Sequence, residues 1–285
     1  MSKEEKKRLK LQNKALKKLE KKEKKELEDA YMHDKLIDKQ IKNEINEIKK
    51  KEYMEKMTPI WEERKRINEA PHLSLLEEIG NSVSHGLGVI FSIIAFILLI
   101  NKSDTPLKII ASIVYSFSML FMFLNSCLYH AFRWGSKVIR LWRRFDYTSI
   151  YFLICGTFAP IQLVELKNLY GNNGDIIGII YFSIMWLVAI TGITLNCIFG
   201  PGKTKKINFP LYFVLGWTGI IFLPIWLIHN HLGLLFWILG GGIIYTLGMI
   251  PFAILRKKNV SHFIWHIIVF FGVITQFIGI LLYVY

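Results

Sequence analysis

The sequence predicts an all-α membrane protein: a bundle of seven transmembrane helices preceded by a long, charged helical tail. Two observations predict this class. Of the 285 residues, 52% are hydrophobic, and the mean hydropathy of +0.33 is too high for an ordinary soluble domain of this length. Charge is also unevenly distributed, since residues 1–70 hold 22 of the 36 basic and 16 of the 22 acidic side chains. We therefore expect a charged cytoplasmic tail over residues 1–70 and a membrane domain over residues 71–285.

Residues 1–70 have the composition of a solvated helix. The segment has no glycine, its one proline is Pro59, and it is rich in pairs such as Glu20 with Lys24 at i,i+4 spacing. Its leucines and isoleucines keep no sustained heptad, which favours a single charged helix near the membrane over a coiled coil. Its lysines indicate contact with anionic lipid headgroups. We expect the tail to contribute little to the stability of the membrane domain.

Seven apolar runs follow, each about 20 residues long and sufficient to cross the ~30 Å hydrocarbon core of a bilayer. No secretory signal precedes them, so we expect the first span to direct insertion. Prolines predict kinks at Pro160, Pro224 and Pro251. The predicted spans are Ser82–Ile100, Leu107–Phe132, Phe145–Val164, Ile176–Phe199, Phe209–His229, Leu232–Leu255 and Val260–Tyr283.

Small residues inside the spans indicate close packing rather than chemistry. Cys127, Cys155 and Cys197 lie in apolar runs and form no C-x-x-C pair, so neither a disulfide framework nor a thiolate metal site is indicated, and we expect core residues. Glycines allow neighbouring helices to approach closely, and we expect such contacts at Gly86, Gly88 and the run 240–242.

Basic residues are divided unequally between the two sets of loops. The loops on the side opposite the tail hold Lys102, Lys108 and Lys167. By the positive-inside rule the N-terminus is cytoplasmic and the C-terminus is outside, in the cell membrane. The net charge of +14 is better explained by lysines and arginines that set the membrane topology and contact lipid headgroups than by binding of nucleic acid. The loops on the tail side hold Arg133, Lys137, Arg140, Arg143, Arg144, Lys203, Lys205, Lys206, Arg256, Lys257 and Lys258.

Four ionisable residues lie near the basic ends of three spans. His130 closes the second span, Asp146 opens the third, and His262 and His266 lie in the first two turns of the seventh. At 1.5 Å per residue, all four fall within about 10 Å of the same membrane boundary. Because ionisable side chains are costly in hydrocarbon, those that remain are candidates for function.

The histidines have the spacing of a metal site. His262 and His266 are an i,i+4 pair and share one helix face, as do Ser126 and His130. A third imidazole completes the three-ligand pattern of a catalytic zinc, in which water takes the fourth position. The alternative interpretation is helix packing or hydrogen bonding between spans.

Asp146 is the carboxylate expected beside these histidines. The sequence leaves two interpretations, a salt bridge to Arg143 or Arg144, or a group that holds or deprotonates a water on the metal. The other five acidic residues after position 70 are expected elsewhere, with Glu77 and Glu78 before the first span and Asp104, Glu165 and Asp175 in the outer loops.

These motifs resemble the hemolysin III group of the progestin and adipoQ receptor family, and the wider set of membrane hydrolases that includes alkaline ceramidases. The resemblance covers about Leu75 to Tyr283 and rests on EEIGNSVSHGLG, NSCLYH, FDYTSIYFLICGTFAP and SHFIWH, taken in order along the chain. It implies that His130, His262 and His266 bind zinc, with Asp146 and Ser126 near the water on the metal. Because these three imidazoles already complete the set of zinc ligands, we interpret His85 as a supporting or packing residue.

The resulting expectation is a zinc-dependent hydrolase of a lipid amide or ester, with its site on the cytoplasmic side and a substrate that arrives laterally from the bilayer. The alternative is a membrane-perturbing, hemolysin-like protein, or a receptor-like protein with a structural zinc. A channel needs polar residues through the full depth of several spans, whereas here they cluster at one end.

The charge asymmetry predicts the location of both termini. Reporter fusions should find the N-terminus in the cytoplasm and the C-terminus outside, because eleven basic residues lie on one side and three on the other. A cytoplasmic C-terminus would contradict both the orientation and the odd number of spans.

Overall fold

The computed structural model describes residues 3–132, 134–254 and 261–285, and these contain helices and no strand. The all-α prediction is therefore confirmed. Predictions that concern Arg133, residues 255–258 and Val260 lie outside the described residues, as does the side chain of Pro251.

Ten α-helices, one π-helical turn and one 3-10 turn make up the described chain. The helices are α1 Lys3–Ile67, α2 Leu75–Asn101, α3 Pro106–Ala131, α4 Lys137–Pro160, α5 Leu166–Tyr170, α6 Asn172–Phe199, α7 Pro201–Trp217, α8 Leu223–Ile228, α9 Leu232–Ile254 and α10 Ser261–Tyr283. The π-helical turn is Ile161–Glu165 and the 3-10 turn is Thr218–Phe222.

Seven helical segments in the described chain are long and apolar enough to cross a membrane, as predicted. They are Leu75–Asn101, Pro106–Ala131, Lys137–Tyr170, Asn172–Phe199, Pro201–Ile228, Leu232–Met249 and Ser261–Tyr283.

Three spans begin seven or eight residues before the apolar runs that predicted them. Each of these helices begins at residues that favour a helix N-terminus. The Ser74 hydroxyl accepts a hydrogen bond from the Glu77 amide, and the Ser136 hydroxyl accepts one from the Ile139 amide. The third of these helices, α7, has Pro201 at its first position. Proline is tolerated there because an N–H at this position would have no partner within the helix. The lengths of the apolar runs therefore underestimate the lengths of these three helices.

The third span also continues past its predicted end at Val164. After Pro160 the chain forms the π-helical turn and then α5, so Glu165 lies inside the helical rod and not in a loop. Its side chain is 1% exposed, and its Oε1 lies 2.7 Å from Nδ1 of His231 in the turn before α9. The outer-loop prediction for Glu165 was wrong because this ion pair allows the carboxylate to be buried.

Helix α2 packs between α3 and α10, while α4 packs on α3, α6 and α7, and α9 packs on α10. Close approach is confirmed at Gly88, where a Cβ atom would overlap the ring of Phe123, and at Gly241, where it would overlap Gln276. Space is open beside Gly242. Of the cysteines, Cys155 is buried, Cys127 is half-buried and Cys197 is exposed, so the core prediction fails for Cys197.

The chain divides into two compact units, Met1–Lys65 and Arg66–Tyr285. The first unit is a helix whose described side chains are almost all exposed, as its composition predicts. The division falls five residues before the predicted boundary at residue 70.

Residues 66–70 join the second unit through hydrogen bonds. The Asn68 amide donates to the Phe199 carbonyl at 3.1 Å, and its Oδ1 accepts from the Gly202 N–H at 3.0 Å. The backbone carbonyls of residues 69 and 70 accept hydrogen bonds from the side chains of Arg143 and Trp134. Asn68 thus satisfies backbone groups at the end of α6 and the start of α7, which lack partners within their own helices.

These contacts predict different outcomes for two truncations. A chain that begins at Arg66 should keep the Tm of the full-length protein, whereas one that begins at Pro71 should melt several degrees lower. The second truncation loses four hydrogen bonds, each worth about 1 kcal/mol. Thermal unfolding of both purified proteins in one detergent is the measurement, and equal Tm values would contradict a structural role for residues 66–70.

Candidate metal centre

Three histidines from two helices meet at one end of the bundle. His130 lies in the last turn of α3, and His262 and His266 lie at the start of α10. One ring nitrogen of each lies within 4.8 Å of the other two, and the Nε2 atoms of His130 and His262 are 3.2 Å apart. Tetrahedral zinc with Zn–N bonds of about 2.05 Å separates its nitrogen ligands by about 3.3 Å. The predicted triad is therefore assembled and could hold a metal ion, with a geometry compatible with zinc.

Glu78 fixes the orientation of the His130 ring. Its Oε2 atom lies 2.5 Å from His130 Nδ1, and the His130 side chain is 1% exposed. With Nδ1 engaged by a carboxylate, Nε2 remains free to face His262, which is the arrangement by which carboxylates orient metal-binding histidines. The sequence prediction placed Glu78 before the first span and treated Asp146 as the one carboxylate at this end. That prediction was wrong because the Ser74 cap starts α2 early and carries Glu78 into its first turn.

The backbone carbonyl of Asn81 contacts the imidazole of His266, the second buried histidine of the triad. The carbonyl oxygen lies 3.3 Å from Nδ1 of His266, so the Nε2 atom of that ring is also left available. The Asn81 amide nitrogen lies 3.5 Å from His130 Nδ1, so the Asn81 side chain also packs against this ring. Glu78, Asn81 and His85 are spaced i, i+3 and i+7, which places them on one face of α2. This spacing is the sequence signal that could have identified Glu78.

Asp146 and Ser126 lie beside the triad, and their side chains are close to each other. Both line the same cavity as His262 and His266. Arg143 and Arg144 donate hydrogen bonds to backbone carbonyls, of Glu69 and Cys197 respectively. Arg143 also interacts electrostatically with Asp146, so both interpretations of Asp146 stay predictions.

The cavity beside the triad has its histidines and Asp146 at one end, and the rest of its lining is mostly apolar, with Thr157, Tyr245, Thr246 and Gln276 as further polar residues. Its polar end is formed by His85, Ser126, Asp146, His262 and His266. It follows α10 as far as Gln276, a distance of about 21 Å at 1.5 Å per residue. Its intervening walls include Met122, Ile150, Phe209, Phe213, Trp265 and Val269. A molecule with a polar group at one end of a hydrocarbon chain matches this shape.

His85 lies one helical turn beyond Asn81 and is 3% exposed. Its ring stacks on that of His266, with centroids 3.7 Å apart and planes 14° from parallel. The ring of Phe123 packs edge-on against the His85 ring, and the two ring planes are 80° apart. The sequence expectation of a supporting or packing position agrees with this placement.

Residues 73–277 match the sequence model of the family described as Haemolysin-III related. The chain belongs to this family. It is 35% identical to "Hemolysin-3" of Bacillus cereus over 214 residues, covering 73% of this chain and 92% of the relative. It is 32% identical to "Hemolysin-3 homolog" of Bacillus subtilis (strain 168), covering 74% and 95%. It is 26% identical to "Monocyte to macrophage differentiation factor" of Homo sapiens, covering 73% and 85%.

The matched region contains the histidine triad and its neighbours on α2, while the whole charged tail, residues 1–70, lies outside it. This haemolysin-III related chain is therefore an integral membrane protein with seven candidate spans and a cluster of three histidines that could hold a metal ion.

The contact between Glu78 and His130 predicts a change in metal affinity. Glu78→Gln should weaken metal binding by about 10- to 100-fold, because the imidazole loses the charged group that orients it. Glu77→Gln is the matched control, since the Glu77 carboxylate instead accepts hydrogen bonds from Ser74. Competition with a chelator, followed by elemental analysis, measures the difference. Equal affinities for the two variants would show that Glu78 does not support the metal.

Proposed function

We propose that this protein is a zinc-dependent hydrolase of a lipid amide or ester, located in the cell membrane with its N-terminus and its site on the cytoplasmic side. One observation carries the proposal: three histidines lie beside Ser126 and Asp146 at one end of a long, mostly apolar cavity. The resemblance of the motifs to membrane hydrolases, alkaline ceramidases among them, supports the reaction class.

His130, His262 and His266 would hold the zinc, since a set of three neutral imidazoles leaves one position open for water or substrate. Zinc bound in this way acts as a Lewis acid toward a carbonyl oxygen and lowers the pKa of water to about 7. Glu78 and the Asn81 carbonyl would keep the ligand rings oriented through their Nδ1 atoms.

Asp146 is assigned the proton transfer. Its carboxylate would accept the proton of the attacking water, and the neighbouring Ser126 hydroxyl would orient that carboxylate by donating a hydrogen bond to it. Attack at the carbonyl carbon breaks the C–N bond of an amide or the C–O bond of an ester. The proton held by Asp146 passes to the departing amine or alcohol, and the other product is a fatty acid.

The shape of the cavity supports a lipid as the substrate. Its apolar walls run for about 21 Å along α10, whereas the reactive groups are confined to one end. Many apolar side chains on the spans face outward, including Ile90, Ile94 and Ile97 of α2, as expected for helices surrounded by lipid. A substrate can then enter laterally from the bilayer with its chain already in an apolar environment.

The tail is assigned a separate role at the membrane surface. Its 22 basic and 16 acidic residues favour loose attachment to anionic headgroups, and this attachment would weaken at high salt. Nucleic acid is not proposed as a partner.

The competing function is membrane perturbation, which the name of the two Bacillus relatives favours. A pore requires polar groups along its whole path. In the described cavity, the histidines and Asp146 lie at one end and most of the deeper wall is apolar, which favours a hydrolytic site. A receptor-like protein with a structural zinc would contain the same triad but would not require Asp146.

The test is a comparison of Asp146→Asn with His262→Ala, each assayed for zinc content and for turnover of a panel of labelled lipid amides and esters. Asp146→Asn should keep its zinc and lose most turnover, on the order of 100-fold or more, because the proton acceptor is removed. His262→Ala should lose zinc, turnover and thermal stability together. Wild-type protein with zinc but no turnover of any lipid would favour the structural role, and wild-type protein without metal would refute the proposal.

A further inference from the structure

A network of buried polar side chains lies behind the helical turn that carries Asp146. These side chains are buried among the spans that contain α4, α6 and α7, and they belong neither to the histidine triad nor to the cavity lining. Buried polar groups destabilise a fold unless they are hydrogen-bonded, whereas apolar side chains could fill the same space. The network therefore indicates that these three helices require one specific arrangement. Its members are Thr148 and Tyr151 of α4, Asn196 of α6, and Thr204 and Asn208 of α7.

Asn196 is the centre of this network. Its amide nitrogen donates to the Thr148 hydroxyl at 2.9 Å and to the backbone carbonyl of Arg144 at 3.2 Å. Its amide oxygen accepts from the Thr204 hydroxyl at 3.1 Å and from the Asn208 amide at 3.4 Å. An asparagine amide has two N–H donors and two acceptor lone pairs, so all four hydrogen-bonding positions are used. One side chain thus joins three spans.

The two donors of Asn196 hold α4 on either side of Asp146. Arg144 precedes Asp146 by two residues, and Thr148 follows it by two. Two residues correspond to about 200° around a helix axis, so Thr148 faces α6 while Asp146 faces the cavity. The Arg144 guanidinium also donates to the Cys197 carbonyl at 3.0 Å. Helices α4 and α6 are therefore joined in both directions at the level of Asp146.

Helix α7 holds the same turn from another side. The Tyr212 hydroxyl donates to the backbone carbonyl of Tyr147, the residue after Asp146, at 2.5 Å. The Tyr151 hydroxyl donates to Oδ1 of Asn208 at 3.1 Å. The rings of Tyr151 and Tyr212 pack edge-on with their centroids 4.6 Å apart. Side chains of two other spans thus fix the turn that carries Asp146, and neither span contributes a histidine to the triad.

We propose that Asn196 is a positioning residue that fixes the rotation of α4 about its own axis and so holds the Asp146 carboxylate beside the histidine triad. Hydrogen bonds depend on direction, whereas apolar contacts on this face would let α4 rotate. A rotation of about 10° moves a group about 6 Å from the helix axis by about 1 Å. A displacement of about 1 Å at a reacting group can cost about 100-fold in rate. This inference rests on the proposed function in one respect, that Asp146 acts beside a metal at the triad, and it does not require turnover.

Steady-state kinetics of Asn196→Leu in the full-length protein separate positioning from a general loss of folding. Leucine has the branched shape of asparagine without its polar atoms. The kcat should fall by about tenfold, while KM and zinc content stay within about twofold of the wild-type values. In an Asp146→Asn background the same substitution should cost no further turnover, because the group that it displaces is already lost. A merely structural defect would lower turnover in both backgrounds.

Thr148→Val is the second variant, and it decides if Asn196→Leu does not fold. Valine has the shape of threonine without the hydroxyl, so one of the four hydrogen bonds of Asn196 is removed and kcat should fall by about threefold. Thr191→Val is the matched control. Thr191 is exposed on α6 and its hydroxyl donates to the Leu187 carbonyl within the same helix, so this variant should keep wild-type turnover.

A spectroscopic measurement tests the position of Asp146 without turnover. Cobalt(II), bound in place of zinc, absorbs visible light, and its spectrum responds to groups that are hydrogen-bonded to its ligands. Asp146→Asn should change the spectrum of the cobalt-loaded protein, and Asn196→Leu and Thr148→Val should change it as well. Thr191→Val should leave it unchanged.

An unchanged cobalt spectrum in both network variants would overturn the positioning role, and so would an equal loss of turnover from Asn196→Leu in the wild-type and Asp146→Asn backgrounds. Either result would leave hydrolysis by the wild type intact. Altered spectra in a protein that turns over no lipid would refute hydrolysis and leave the role of Asn196 intact. No binding of cobalt or zinc by the wild type would refute both proposals.

Discussion

The short contact between the Glu78 carboxylate and the His130 imidazole is the constraint on which the arrangement of the site depends. In a medium of low dielectric, an unpaired carboxylate or an unpaired imidazole N–H is costly, so the two groups hold each other in position. Glu78 belongs to α2, which packs between α3 and α10. The same helix presents the Asn81 carbonyl to His266. The two helices that carry the histidine triad are therefore joined through a third helix that contributes no member of it.

The geometry of α2 follows from its small and polar residues. Its buried positions, which include Asn81, His85, Gly88, Ser92 and Ala95, recur every three or four residues and form one continuous stripe. Small residues on this stripe let the neighbouring helices approach, most closely where Phe123 lies over Gly88. The stripe fixes both the register of α2 and the positions of the polar groups that face the cavity.

Much of this organisation could be predicted from the sequence, because apolar length determines the number of spans and i,i+4 spacing places His262 and His266 on one helix face. The contribution of Glu78 was missed because hydropathy ends a span at the first charged residues, whereas the helix begins at the Ser74 cap. Glu165 was missed for a related reason, since its burial depends on His231, 66 positions later in the chain. When the partner of a buried polar group lies far away in the chain, the sequence around that group gives no sign of it. The same is true of the hydrogen bonds that join Asn68 to α6 and α7.

The position of the histidines along the chain has a consequence for biosynthesis. His130 is inserted with the second span, but His262 and His266 belong to the seventh, so the three rings can meet only after the seventh span has been synthesised. Until then the first two spans expose Glu78 and His130 with no third partner in place. The centre consequently forms only when the seventh span is in place, and its completion distinguishes a chain with all seven spans inserted from one that has stalled before the seventh.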